Sequence, residues 1–330
     1  MKKRISLNPF LLLKSIKRKI VSNFDPNSTK IQLKSFLRQQ NKYAFQNGSC
    51  CSYEQYEASI TRMYHTVEKG LSYLEYRPGF GKDQIAILIS SMEQYAEKYD
   101  TEAFFYRTAL SCLFAYTEKN REYGYEDVDL EKRINALSGT PNECGGVICF
   151  TPYSQEQLCL LNFDDLMRSR HSIRHFSTDP VDIFLLHKAI ELAQYTPSAC
   201  NRQGWKTRIV EDKTILKEIL ENQNGNRGFG NEIDKLLVIT NDLRYYQKDR
   251  ELFQVFIDGG MYAGSILNSL YYYGIASIPL SASLYPTQEA NVRSILNIED
   301  AEQLILFVGV GNYPEVCQTT KSTRKSICGE

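Results

Sequence analysis

Residues 169–176 read SRHSIRHF and place Arg170, His171, Ser172 and Arg174 within five positions. Guanidinium groups offer rigid, multiple donors that suit phosphate, and a serine hydroxyl adds one more. The same residues fit a solvated helix end or a nucleic-acid contact, so this stretch alone leaves all three readings open. A second polar stretch, YTPSACNRQGW (195–205), links a helical pattern to a strand pattern. Its Asn201 and Gln203 carry amides that both donate and accept, as recognition of a heterocycle edge requires. A capping loop would use the same residues. Trp205, the single tryptophan, reads as a packing anchor. A third stretch, CQTTKSTRKS (317–326), brings Lys321, Arg324 and Lys325 past the last strand pattern. It is either a solvated tail or a source of further cations for a phosphate held by Arg170.

The whole-chain numbers narrow these options. The chain has 330 residues, with Lys+Arg and Asp+Glu both at 39. Nucleic-acid binders usually carry a basic excess, which this balance lacks. Apolar residues make up 42%, enough for a packed core. The nine cysteines include no C-x-x-C pair, and the four histidines are not spaced with them as a zinc site requires, so no metal is expected. The cysteines read as reduced and mostly buried, and the chain as cytoplasmic. Residues 1–20 combine Phe10, Leu12, Leu13 and Ile16 with Lys14, Lys17, Arg18 and Lys19. That pattern allows a weak peripheral contact with an anionic inner-membrane face, or else a frayed basic leader. It is too short in apolar residues for a span or a signal peptide.

The elements that would position the three stretches divide near residue 150. The periodicity of 53–76, 83–99 and 102–122 predicts aromatic-rich helices, with breaks at RPGFGKD (77–83) and a loop at GTPNECGG (139–146). After 150 the patterns alternate. Helices are expected at 180–195, 214–223, 250–274 and 287–298, and strands at 205–212, 233–242, 275–280 and 302–311. Gly274 is positioned to stop the long apolar helix. The sum is an α+β arrangement, a sheet of about four strands wrapped by helices. No G-x-G-x-x-G or G-x-x-x-x-G-K-[ST] fingerprint is present.

In this order and separation the stretches resemble the nitroreductase family of FMN-dependent oxidoreductases. Its arginine-rich R-[RH]-S-x-[RK]-x-F segment is matched by Arg170, His171, Ser172, Arg174 and Phe176. Its PSxxNxQPW loop is matched by Pro197, Ser198, Asn201, Gln203 and Trp205, and the late FVGVG strand and Gly274-Ile275…Pro279 complete the pattern over about 160–328. The resemblance implies a nitroreductase-like fold with a mainly antiparallel central sheet, at 151–330. It implies tightly bound FMN, NAD(P)H as electron donor, a homodimer, and ping-pong hydride transfer through flavin N5 to a small-molecule acceptor. It assigns the flavin phosphate to Arg170, His171, Ser172 and Arg174, joined by Arg324 or Lys325 from the tail. It places Pro197, Ser198, Asn201 and Gln203 near the ring, from either subunit, and the backbone of Leu280, Ser281 and Ala282 near N5. Catalysis would need no acid-base triad. Gly204 stands where the family usually has proline, and LSAS (280–283) lacks the glycine often found near N5.

Residues 1–150 lie outside that family's core and form a helical extension. It resembles, more loosely, the leader of nitroreductase-like proteins associated with polysaccharide biosynthesis. His65, Glu68 and Lys69 fall on one helical face, either as a structural pairing or facing a cleft with Arg77 and Phe80 near. The alternatives to an NAD(P)H-linked reductase are a specialised flavoenzyme of glycan or natural-product metabolism and a non-catalytic flavin-binding scaffold.

Overall fold

The computed structural model describes residues 29–44, 50–247 and 251–325. The basic stretch 1–20 and Cys328 lie outside them. Helix α1 (Thr29–Tyr43) is followed by α2 (Tyr53–Leu71), α3 (Lys82–Ala96), α4 (Phe104–Glu122) and α5 (Val128–Ala136). Ser52 caps α2 by accepting from the Gln55 N–H, and Tyr56, Ile60, Met63, Tyr64, Val67 and Leu71 recur on its buried face. That face packs against α3 and α4 around a core rich in aromatic rings. The helix stops at Leu71, short of the 76 expected from periodicity. The Ser72 N–H and hydroxyl close its last turn, and the next residues bond to the rest of the chain.

Beyond the extension come strand β1 (Val147–Phe150), α6 (Gln155–Leu160), α7 (Phe163–Ser169), α8 (Ile183–Ala193), β2 (Trp205–Val210) and α9 (Lys213–Asn222). Then follow β3 (Lys235–Asp242), α10 (Gln254–Tyr272), β4 (Ala276–Ser281), α11 (Pro286–Leu296), β5 (Glu302–Gly311) and β6 (Cys317–Thr320). Four strands form an antiparallel sheet in the order β2-β3-β5-β4. All eight residues of β3 are buried, because helices cover both faces. Side chains alternate across a strand, so Leu236 and Val238 join one core with α9 and α11, while Leu237 and Ile239 join the other with α8 and α10. The chain is thus α+β, a central antiparallel sheet wrapped by helices. Gly274, at φ +71°, ends α10 as its composition suggested.

Two features depart from the expected pattern. A second sheet exists: β1 pairs antiparallel with β6, Val147 opposite Thr320 and Phe150 opposite Cys317. It joins the end of the extension to the tail. The cysteines are also not mostly buried. Among those described, Cys112 and Cys317 are buried, Cys50 and Cys144 half-buried, and Cys51, Cys149, Cys159 and Cys200 exposed; all are free thiols.

Among the buried charges of the sheet, Glu302 has dense compensation. Glu302, 1% exposed, accepts from Lys206 (2.9 Å), Arg208 (2.7 and 2.9 Å) and Thr240 Oγ1 (2.6 Å). Burial pushes its carboxyl up, but Arg208, Thr240 and Lys206 outweigh this and hold it at about 2, below the usual 4.5. A carboxylate depressed in the folded state stabilises above its unfolded value and loses that contribution as pH falls. Glu302→Ala is therefore expected to cost about 2–4 kcal/mol at neutral pH, allowing for the partly exposed cations. Urea melts should show the gap between variant and wild type closing from about pH 4.5 toward 2. A gap unchanged across that window would mean that the charge is not what matters.

Candidate functional site

Helix α7 ends at Arg170, whose backbone turns extended (φ −68°, ψ 122°). From there the chain runs between β4 and β6. The Ile173 N–H donates to Ser277 O (2.9 Å), Thr319 Oγ1 donates to Ser172 O (2.8 Å), and Ser177 bridges Asn312. Arg170, Ser172 and Arg174 line a cleft of about 770 Å³, while Ile173 enters the core. Phe176 anchors the end of the segment. It covers Gly311, where a Cβ would stand 2.5 Å from the ring, so the glycine closing FVGVG lets the segment lie against β5.

His171 also lines the cleft, with His65, Asp164, Met167, Arg168, Thr320, Lys321, Ser322, Thr323 and Arg324. Arg168 is paired with Asp164 (2.8 Å). Two of the other cations are not satisfied by protein. Arg170 Nη1 and Arg174 Nε and Nη1 are buried and without a hydrogen-bond partner, and Arg174 is only 6% exposed. Burial lowers the pKa of both guanidiniums, and the charge of Arg324 lowers that of Arg170 further. His171 is pushed down by burial and then by Arg170 and Arg324. Buried donors are nearly always bonded, and buried cations nearly always paired. Three buried donor atoms without partners, on two arginines that line one cleft, are groups that an anion could satisfy. This is the fit that a phosphate-bearing cofactor requires.

The tail and the extension form the other walls. The Lys321 N–H donates to Gly146 O (3.1 Å), its Nζ to Glu143 O (2.6 Å), and Thr323 Oγ1 to Cys144 O (2.8 Å). These bonds hold Arg324 beside Arg170. Lys325 lies outside the cleft, paired with Glu57 at 2.9 Å. His65 reaches the cleft from α2 with Nδ1 held 3.0 Å from buried Glu68. Arg77 and Phe80 do not reach it; Phe80 packs against Tyr76 and Tyr116. His175 is structural. Its Nε2 accepts from the Leu74 N–H (3.3 Å), so its Nδ1 carries the proton toward Glu232 (3.0 Å). Arg168 and Thr320 were missed from sequence because neither belongs to the signature; their only signal was the basic run in which Arg168 lies.

The other expected residues are not on this cleft within one chain. Pro197, Ser198, Asn201 and Gln203 form an exposed knot. The Gln203 N–H donates to Ser198 Oγ (3.0 Å), and Gln203 Nε2 to Asn201 Oδ1 (3.0 Å). Arg202 clamps the knot to Glu251 at 2.7 and 2.8 Å, and the Ala199 N–H reaches Asp258 (3.1 Å). Cys200, Asn201 and Gln203 have φ of 51°, 55° and 49°, left-handed conformations that side chains adopt only when their surroundings impose them. Trp205 is the anchor its type suggested, stacked on Tyr262 at 4.7 Å with Nε1 donating to Gln194. Gly204 is explained by space, since a Cβ there would meet Asn241 Oδ1 at 2.7 Å and Tyr245 at 3.1 Å. Leu280 is buried at the end of β4; Ser281 O accepts from Gln223, and Ser281 Oγ accepts from the Ser283 N–H.

Among the described residues there is no group of metal-ligating side chains and no helix long and apolar enough to cross a membrane. A curated Streptococcus pyogenes protein, assigned by name to the NAD(P)H nitroreductases, is 43% identical over 53 residues, which span 16% of this chain and 26% of that protein. Among solved structures, a nitroreductase family protein of Streptococcus pneumoniae is 21% identical, with 47% of this chain and 92% of that one covered at a TM-score of 0.40. An FMN-dependent nitroreductase of Clostridium difficile is 18% identical, with 46% and 88% covered at a TM-score of 0.42. The model of the nitroreductase family matches residues 167–224, the stretch that holds both the arginine-lined wall of the cleft and the 197–203 knot.

Proposed function

We propose that this chain is an FMN-dependent oxidoreductase that uses NAD(P)H and works as a homodimer. The observation that carries the reading is the set of buried, unbonded donors of Arg170 and Arg174 within the segment that matches the nitroreductase family. Arg170, His171, Ser172 and Arg324 would hold the FMN phosphate, and Arg174 would face the next part of the cofactor. Bound FMN would supply the redox centre, accepting a hydride from NAD(P)H and passing it to a small-molecule acceptor. The residues of this chain bind and orient it, keep water from the buried arginines, and favour negative charge in the cleft.

The homodimer follows from what one chain leaves undone. The knot that carries Asn201 lies away from the chain's own cleft, so a second copy would have to deliver it. Beside the knot, α8 and α10 expose Phe184 (62%), Ile257 (52%), Phe256 (47%) and Met261 (44%). Neighbouring exposed apolar side chains of this kind mark interaction surfaces.

Two measurements test these statements. Purified protein is expected to carry a flavin absorption spectrum, or to acquire one when FMN is added. Arg170→Ala should weaken FMN binding by roughly 10–100-fold, the value of one or two charge-assisted bonds. A colourless protein that takes up no FMN would sink the cofactor assignment. Phe256→Glu combined with Met261→Glu should convert a dimer to monomer in sedimentation velocity and lower FMN affinity on the order of tenfold. Wild-type protein that sediments as a monomer at micromolar concentration would overturn the dimer.

A further inference from the structure

Helix α2 does more than cover the core of the extension. Beside its buried face, Glu57, Thr61 and His65 follow one another at four-residue spacing and share one flank of the helix. This flank lines a groove of about 530 Å³, separate from the cleft. Eight residues of helix separate Glu57 from His65, so the groove runs for about 12 Å along α2. Ala58 and Thr61 stand midway, and their short side chains leave the space between open. Phe104 and Phe105, the first residues of α4, form a second wall, and Thr323, Arg324 and Lys325 of the tail a third. The Phe105 ring is buried and held edge-on by Tyr53 at 5.6 Å and Tyr95 at 5.1 Å. Rings locked in this way need little ordering to receive a flat ligand.

The two ends of the groove differ. His65 and Arg324 line both the groove and the cleft, so one end opens toward the arginines. At the other end Glu57 pairs with Lys325 at 2.9 Å and joins α2 to the tail. Both residues also line the next cavity, so the pair stands between the two spaces. The chemistry differs from that of the cleft as well. Among the described residues, no buried side-chain atom that lines the groove lacks a hydrogen-bond partner, and Lys325 neutralises Glu57. The groove therefore has no uncompensated charge for an ion to relieve, whereas an apolar body gains there by leaving water.

We propose that the extension and the tail together build a binding groove for a neutral, elongated, largely aromatic molecule, which lies along α2 with one end at the mouth of the cleft. The occupant is a small molecule about 12 Å long, the span from His65 to Glu57. Calling it the electron acceptor rests on the flavin reading above; the groove and its chemistry do not.

The test uses prodan, a neutral naphthalene dye whose emission moves to the blue out of water, and the full-length protein before and after FMN is added. One saturable prodan site per chain is expected in both states. Ala58→Trp sets an indole into the groove from an exposed position and should weaken prodan by about tenfold or more. Thermal melting should be unchanged and FMN affinity should stay within about twofold. Thr61→Trp, which fills the same space from the next turn, is the second variant should the first melt early. Wild-type protein that binds no prodan, or prodan affinity unchanged in both variants, would overturn the groove. Loss of the dye when FMN is added would place it in the cleft, with the same consequence. Displacement of prodan by NADH would give the groove to the electron donor and refute the assignment to a neutral ligand. Protein that takes up no FMN but binds prodan as expected would sink the flavin reading and leave the groove standing.

Discussion

A guanidinium removed from water without an anion is among the most costly arrangements a protein can hold. Arg170 and Arg174 are in that condition, and most of the surrounding architecture keeps them there. Arg170 follows directly on the last turn of α7, so its backbone position is set by a helix end. Arg174 is fixed from both sides, by the Ile173 N–H on Ser277 and by Phe176 lying over Gly311. The arginines cannot leave for solvent without breaking strand-like contacts on either side. A bound anion would satisfy the donors that protein leaves unbonded.

Much of this was legible in the sequence, for reasons that differ by element. β5 was readable because LILFVGVG, after Glu302 and Gln303, has the continuous apolar character of a central strand. The R-x-S-x-R stretch was readable from its residue types, since guanidinium and hydroxyl donors suit phosphate, and from its resemblance to the family's segment. The β1–β6 ribbon was not readable. CQTT is polar and pairs with VICF, some 170 positions earlier in the chain (Phe150 with Cys317), and nothing local announces a pairing at that separation. The tail was read as a source of further cations beside Arg170, but what holds it was hidden for the same reason, since it is placed by carbonyls of Glu143, Cys144 and Gly146 in a loop read only as a domain end. Lys321 and Arg324 came to the cleft and Lys325 went to Glu57, a choice that depends on tertiary position and not on residue type.

The 197–203 knot shows a different limit. Its residue types were read as recognising a ring edge, yet its amides bond to one another and its place is away from the arginines. Three consecutive-range residues in left-handed conformations, clamped by Arg202 to Glu251, are a rigid projection and not a relaxed cap. Rigidity of that kind has a function only if something meets it. Apolar side chains of α8 and α10 exposed beside it point to a macromolecular surface as that partner.

The extension is tied to the body by several bonds, one of them from Lys321, which also lines the cleft. Leu74 bonds to His175, Gln318 to Leu71 O, Lys321 to Glu143 O, and Lys325 to Glu57. Those contacts keep α2 beside the cleft, where His65 lines it and Glu68 acts on the charge of Arg174. An anion in the cleft would interact more strongly with these charges as solvent is excluded. Linkage makes the effect reciprocal: an anion that binds more tightly with α2 in place must hold α2 in place by the same free energy. The extension and a bound anion would then act on each other through the charge of Arg174.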